Sequence, residues 1–261
     1  MSVFVRRVLP PILVGVVALI GWELTVRLGR VAPYILPAPS AIWHELVAQR
    51  DNVWAAALAS GANALIGLIA GSALGVLAAM VASRVRVLSE VSVPFAAVLN
   101  ALPIIALAPI LNNMFESTSS VPRRIVTAII AFFPVFVNTL RGLREVDPVH
   151  RELMDSYAAS SWTFARKVRL PGALPFVFTG ARIAMAFAWG SIIAAELAIG
   201  IKVQTARRAV AGIGQLMVDT LYVRRDVDAL VLYMIVIGIV SFLIDSGLRR
   251  AQARLMPWTQ R

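Results

Sequence analysis

The chain has 261 residues, 59% of them hydrophobic, and a net charge of +11. With a mean hydropathy of +0.79, this composition reads as one polytopic membrane domain with room for about six spans of about 20 residues. Cysteine is absent, so disulfides, thiolate metal sites and a cysteine nucleophile are excluded, and the two histidines, His44 and His150, form no metal cluster. In chain order, apolar runs predict membrane spans over 8–26, 55–82, 91–114, 125–140, 174–199 and 229–248. The first opens with Arg6-Arg7 like a secretory signal, but it lacks a small-residue cleavage site and runs into Trp22-Glu23, so it reads as a retained anchor.

The charge follows topology and does not suggest a nucleic-acid partner. Arg6 and Arg7, Arg84 and Arg86, the basic series from Arg141 to Arg169, and Arg249, Arg250 and Arg254 fall on alternate sides of successive spans. Under the positive-inside rule both termini are then cytoplasmic. The segment 202–228 departs from that rule. It should be external, yet it carries Lys202, Arg207, Arg208, Arg224 and Arg225. Lys202, Arg207 and Arg208 are a candidate external basic patch, able to attract an anionic solute or acidic residues of a docked protein; the plainer reading is a solvated loop.

Within the second span Gly67, Gly71 and Gly75 stand four apart on one helix face, which admits a close neighbour, most simply another helix of the same subunit. The third span is interrupted by Pro94, Pro103 and Pro109, each removing a backbone donor. Broken helices of this kind often line a transport path. Glu196 is the main carboxylate inside a span. A charge at the bilayer centre costs about 3 kcal/mol, so Glu196 is expected either at a translocation cavity or gate, or at the external interface, bonded to backbone or water. Arg182 is fourteen residues away, about 21 Å along a straight helix, and cannot reach it.

Between spans four and five lies a long charged amphipathic segment, 141–173. Asp147 can cap a helix that begins at Pro148, where a missing donor costs nothing. Val149, Leu153 and Tyr157, four apart, form one apolar face, while Glu152 and Asp155 project elsewhere. Ser160 or Ser161 caps a second short helix expected to end by Pro171. The plain reading is an amphipathic helix lying on the bilayer.

The spacing Glu152-Leu-Met, three residues, Ala158, nine residues, Val168-Arg-Leu170-Pro171 resembles the "EAA" loop of bacterial ABC importer permeases, which reads Glu-Ala-Ala, three residues, Gly, nine residues, Ile-x-Leu-Pro. Leu153, Met154 and Ala158 depart from it. Pro103-Ile-Ile-Ala106-Leu-Ala-Pro109, Thr179-Gly180-Ala-Arg182, Trp189, Ala194-Ala-Glu196-Leu197, Gly212-Ile-Gly214 and Arg254-Leu-Met-Pro-Trp258 resemble, in order, the nitrate, sulfonate and taurine branch of these permeases. The resemblance implies an all-α fold of six transmembrane helices with a cytoplasmic coupling helix. Glu152, Asp155, Ala158, Ser160, Leu170 and Pro171 would contact a separate ATPase, and Pro103, Ala106, Pro109, Trp189 and Glu196 would border the pathway. It further implies a second permease copy, a solute-binding protein, an inner-membrane location, and ATP and Mg held by the partner rather than by this chain.

No catalytic residues or metal ligands are expected, and the chain contains no Gly-Lys pair and so no Walker A sequence. The rival class is a gradient-driven secondary transporter, which would need coupling carboxylates at the midplane and an internal repeat. Substrates implied by the branch are small anions or organic solutes such as sulfonates, taurine or nitrate, with vitamin precursors and bicarbonate as alternatives.

Overall fold

A computed structural model describes residues 3–85, 107–115, 119–200 and 212–257. All regular structure among them is helical. The elements are α1 (Val3–Leu28), α2 (Pro39–Ala48), α3 (Arg50–Ala82), α4 (Leu107–Met114), α5 (Val121–Arg144), α6 (Pro148–Ser156), α7 (Ser161–Phe164), α8 (Leu170–Gly200), α9 (Ile213–Val218) and α10 (Val227–Leu255). Two wider π-helical turns, Ala165–Arg169 and Asp219–Arg224, continue α7 into α8 and extend α9.

Five helical stretches among the described residues are long and apolar enough to cross a bilayer: Leu9–Leu28, Arg50–Ala82, Val121–Arg144, Ser161–Leu197 and Val227–Leu255. They coincide with the first, second, fourth, fifth and sixth expected spans. Of the third, 91–114, only α4 is described; Pro94, Pro103 and Ala106 lie outside the described residues.

In a bilayer, apolar area gives little drive for helices to associate, so close packing through small residues must do so. The core of α3, α5 and α8 is built this way. A Cβ on Gly67 would sit 2.6 Å from Thr127 Cβ, one on Gly71 would collide with the Ala128 carbonyl, and one on Gly75 would come 2.8 Å from the Phe132 carbonyl. The glycine face therefore serves packing within the subunit. From the other side, Gly180 of α8 approaches the Pro134 carbonyl, where a Cβ would come within 2.8 Å. Ala64, Leu68, Ala131, Val135, Ala184 and Trp189 fill the space between these helices.

Two elements were not foreseen. The short α2 buries Ile42 against Val53, Leu232 and Tyr233. The segment after residue 212, expected as loop, is helical and folds inward, with Ile213 wholly buried in that same cluster.

α1 stands apart. Leu13, Val17 and Ile20 are each more than half exposed, as a face turned to lipid or a partner would be. Its attachment is both apolar and polar: Trp22 packs against the Ile42 cluster and Val26 is buried, while Glu23 accepts from the Ser40 amide (3.1 Å) and hydroxyl (2.8 Å) at the start of α2 and pairs with Arg27 one turn on.

A further difference concerns Pro171, expected to end the second loop helix. Instead the chain is helical from Ser161 through to α8. The π turn makes this possible. Leu170 N–H donates to the Ala165 carbonyl, five residues back, and the widened turn relieves the clash that a proline ring makes with the carbonyl four residues earlier in a regular helix.

Candidate functional site

The loop between α5 and α8 is a helical hairpin whose ends are all locally closed. Asp147 caps α6 by accepting the Val149 amide at 2.9 Å, with Pro148 at the first helical position. At the other end Ala158 N–H donates to the Asp155 carbonyl (2.9 Å) and Ala159 N–H to the Met154 carbonyl (3.0 Å). This bond pair is a Schellman stop, which requires a left-handed residue between the helices. Ala158 is that residue, with φ of 47°. It stands where the resembled pattern has glycine, the residue that adopts this backbone without a Cβ penalty. Ser160, of the two serines expected to cap, accepts the Thr163 amide at 3.3 Å and opens α7.

The hairpin presents Val149, Leu153, Tyr157 and Trp162 to the outside. Glu152 and Asp155 are also exposed and make no ion pair among the described residues. α6 buries no residue. A helix pair whose geometry is fixed by its own caps, and which buries little of its apolar face, is suited to docking as a rigid body. Leu170 and Pro171 lie at the root of this hairpin, in the first turn of α8.

A second constellation lies far from the hairpin. Glu196 of α8 is fully buried. Ser60 Oγ of α3 lies 2.8 Å and 2.9 Å from its two carboxylate oxygens, and Gly214 N–H donates to Oε2 at 2.9 Å. Ser60 Oγ also accepts from Ile213 N–H at 2.9 Å. The free amides at the start of α9 are thus satisfied by side chains of two other helices, not by a local cap. Gly212 holds the cap position, and a Cβ there would overlap the Glu196 carboxylate; its own N–H is taken by Gln215 Oε1 at 3.0 Å. Charge-assisted bonds and the positive helix end offset the desolvation of the carboxylate.

A buried cation accompanies it. Arg123 in the first turn of α5 is 2% exposed, and its Nε and Nη2 have no hydrogen-bond partner among the described residues. Its neighbour Arg124 ties α5 to α3 through Asn63 Oδ1 at 2.9 Å.

Of the expected pathway residues, Pro109 falls in the first turn of α4, Trp189 is enclosed in the α3, α5 and α8 core, and Glu196 is in the node just described. Pro103, Ala106, Lys202, Arg207 and Arg208 lie outside the described residues. Arg224 is occupied by Glu45 and Asp226, at 3.4 Å and 3.5 Å. Arg182, unable to reach Glu196, meets Asp245 of α10 at 3.4 Å. Ser60 and Arg123 escaped sequence reasoning. Ser60 is one small polar residue in an alanine-rich run, and Arg123 looked like one more charge at the end of a span.

Together these features define a polytopic helical membrane protein with an exposed, self-capped helical hairpin between α5 and α8. Residues 71–259 match the family described as binding-protein-dependent transport system inner membrane component, and the chain belongs to that family. It is 30% identical over 182 residues to a probable ABC transporter permease protein of Haemophilus influenzae, covering 70% of this chain and 74% of the relative. It is 26% identical over 249 residues to the taurine transport system permease protein of Escherichia coli, covering 91% and 85%. It is 25% identical over 253 residues to a putative aliphatic sulfonates transport permease protein of Bacillus subtilis, covering 96% and 86%. The family consists of membrane permease subunits, and these relatives put the chain in the branch that includes taurine and sulfonate permeases.

Proposed function

We propose that this chain forms, with a second copy, the translocation pathway of an ABC importer, fed by a solute-binding protein and driven by a separate ATPase that grips the α6–α7 hairpin. The observation that carries this reading is the hairpin itself: fixed by Asp147, Ala158 and Ser160, and exposing Glu152 and Asp155 beside Val149, Leu153 and Tyr157. An ATP-driven machine must pass force into the bundle, and the continuous helix from Ser161 into α8 supplies a stiff lever for it.

In this reading the six spans leave both termini and the hairpin in the cytoplasm. A cysteine at Ser156 is then unreachable by an impermeant thiol reagent in intact cells, and one at Gln204 reacts; the reverse pattern inverts the topology. We assign the pathway to the stretch holding Pro103, Ala106 and Pro109, with Trp189 and Glu196 holding the helices beside it. The substrate is a small anionic or organic solute such as a sulfonate, taurine or nitrate. Lys202, Arg207 and Arg208 would draw it, or its binding protein, electrostatically.

Reconstitution in vesicles with the cognate ATPase and binding protein tests the whole reading. Uptake that requires ATP, and solute-stimulated hydrolysis, are expected. Uptake driven by a proton or sodium gradient without ATP would instead establish a secondary transporter. A screen in which only a vitamin precursor or bicarbonate stimulates hydrolysis would replace the substrate assignment and leave the machine intact.

A further inference from the structure

A groove of about 270 Å³ opens where α3, α5 and α8 converge near the hairpin. Each helix contributes one stripe at helical spacing: Val76 and Met80, Thr139 and Leu143, Leu174 and Val177. Arg166 stands at the hairpin end, and Val177 lies eleven residues further on, about 16 Å deeper along the helix axis. The groove thus grades from cationic to apolar in the direction that leads from the membrane surface to its interior. An apolar wall of this kind is a poor contact for a charged solute in transit.

Two further observations point to an occupant with a polar head. Arg166 and Arg144, which follows Leu143 in the chain, are exposed and make no ion pair among the described residues. Thr139, whose side chain borders the groove, is only 2% exposed, and its hydroxyl is turned away from the opening without a hydrogen-bond partner among the described residues. A buried hydroxyl without a partner is unfavourable, so a ligand acceptor that draws the Thr139 side chain round into the groove gains from it. A second copy of this chain could fill the apolar stripe, but with a net charge of +11 it is a poorer match for the cationic mouth than an anion is.

We propose that this groove binds an anionic phospholipid of the surrounding bilayer. The phosphate sits at Arg166, an ester carbonyl accepts from the Thr139 hydroxyl, and one acyl chain lies along Val76, Met80, Leu174 and Val177. Because the groove is walled by the helix that continues the hairpin, an occupied site stiffens the junction between hairpin and bundle.

The test uses the purified full-length permease in phosphatidylcholine nanodiscs doped with a phosphatidylglycerol probe that carries a photoreactive acyl chain. Labelled peptides are mapped by mass spectrometry, and the exposed leucines of α1 serve as a reference for general lipid contact. Label is expected on 76–80 or 170–177, at least fivefold above that from a phosphatidylcholine probe. Arg166→Gln, at an exposed position, should cut groove labelling to below a third and leave α1 labelling unchanged. Val177→Trp should abolish it; if that variant does not fold, Arg166→Gln decides alone. Equal labelling by both headgroups, or groove labelling indifferent to Arg166→Gln, overturns the proposal. So does a disulfide-linked dimer of Val177→Cys that excludes the label, which would assign the groove to a second copy. The lone permease suffices for every arm, so a negative result leaves the coupling reading standing.

Discussion

The Ser60 hydroxyl and the Glu196 carboxylate meet at 2.8 Å across 136 positions of sequence, and the same oxygen of Ser60 accepts the Ile213 amide. One hydroxyl therefore ties α3, α8 and α9 together. Ser60→Ala removes a donor to a buried carboxylate and orphans a buried amide, and should cost about 2–3 kcal/mol. Thermal unfolding in detergent, followed by tryptophan fluorescence, reads this as a clear loss of melting temperature. A change of less than a degree would show that water replaces the hydroxyl.

Glu196 itself should obey a rule of shape and acceptors. Glu196→Gln keeps one carbonyl oxygen for the Gly214 amide and offers its amide group to Ser60, so it should fold with a modest loss. Glu196→Ala leaves Gly214 N–H unpaired and opens a void beside it, and should lose a further 2 kcal/mol or so. Equal melting of the two variants would contradict the node.

Glycines in this bundle divide by what faces them. Gly71→Ala drives a Cβ into the Ala128 carbonyl, while a Cβ on Gly238 meets nothing within 4 Å. The first should cost about 1–3 kcal/mol through overpacking; the second should be neutral or stabilising by up to about 1 kcal/mol through helix propensity. Folded yield by fluorescence-detected size exclusion separates them.

At the hairpin, Ala158→Gly relieves a left-handed alanine and should raise stability by about 1 kcal/mol without loss of uptake. Ala158→Val should do the opposite, because a β-branched side chain is strained there. If the valine variant docks and transports normally, the turn between α6 and α7 is not a rigid element of coupling.

Glu152→Arg addresses the partner. Glu152 is exposed and makes no ion pair among the described residues, so the substitution should change stability by less than about 0.5 kcal/mol. ATPase association and solute-stimulated hydrolysis should nevertheless fall, because repulsion replaces attraction at the docking face. Unchanged association on pull-down would make Glu152 a solvated charge and nothing more.

The hairpin was largely legible in advance, because its signals are local. An aspartate before a proline, apolar residues four apart and a serine before a new helix act over a single turn, and each did what its position predicted. The reading failed at Pro171, where a proline that ends a regular helix is carried through by the π turn Ala165–Arg169, a backbone variation with no residue signature. It failed again after residue 212, within the segment 202–228 read as an external loop between the last two spans. There Ile213 is buried by α2, α3 and α10, none of which is close in sequence.

By itself, then, the sequence determined the membrane class, five of the spans now seen, the caps of the α6–α7 hairpin and the glycine face of α3, because hydropathy, helical period and capping are properties of neighbouring residues. Only the tertiary structure decided that Glu196 serves as the cap of a helix eighteen residues away, that Gly212 and Gly214 leave room for its carboxylate, and that Thr139 is stranded beside a groove. These depend on which helices come within hydrogen-bonding distance. That is set by the close packing of α3, α5 and α8, and no local pattern encodes it.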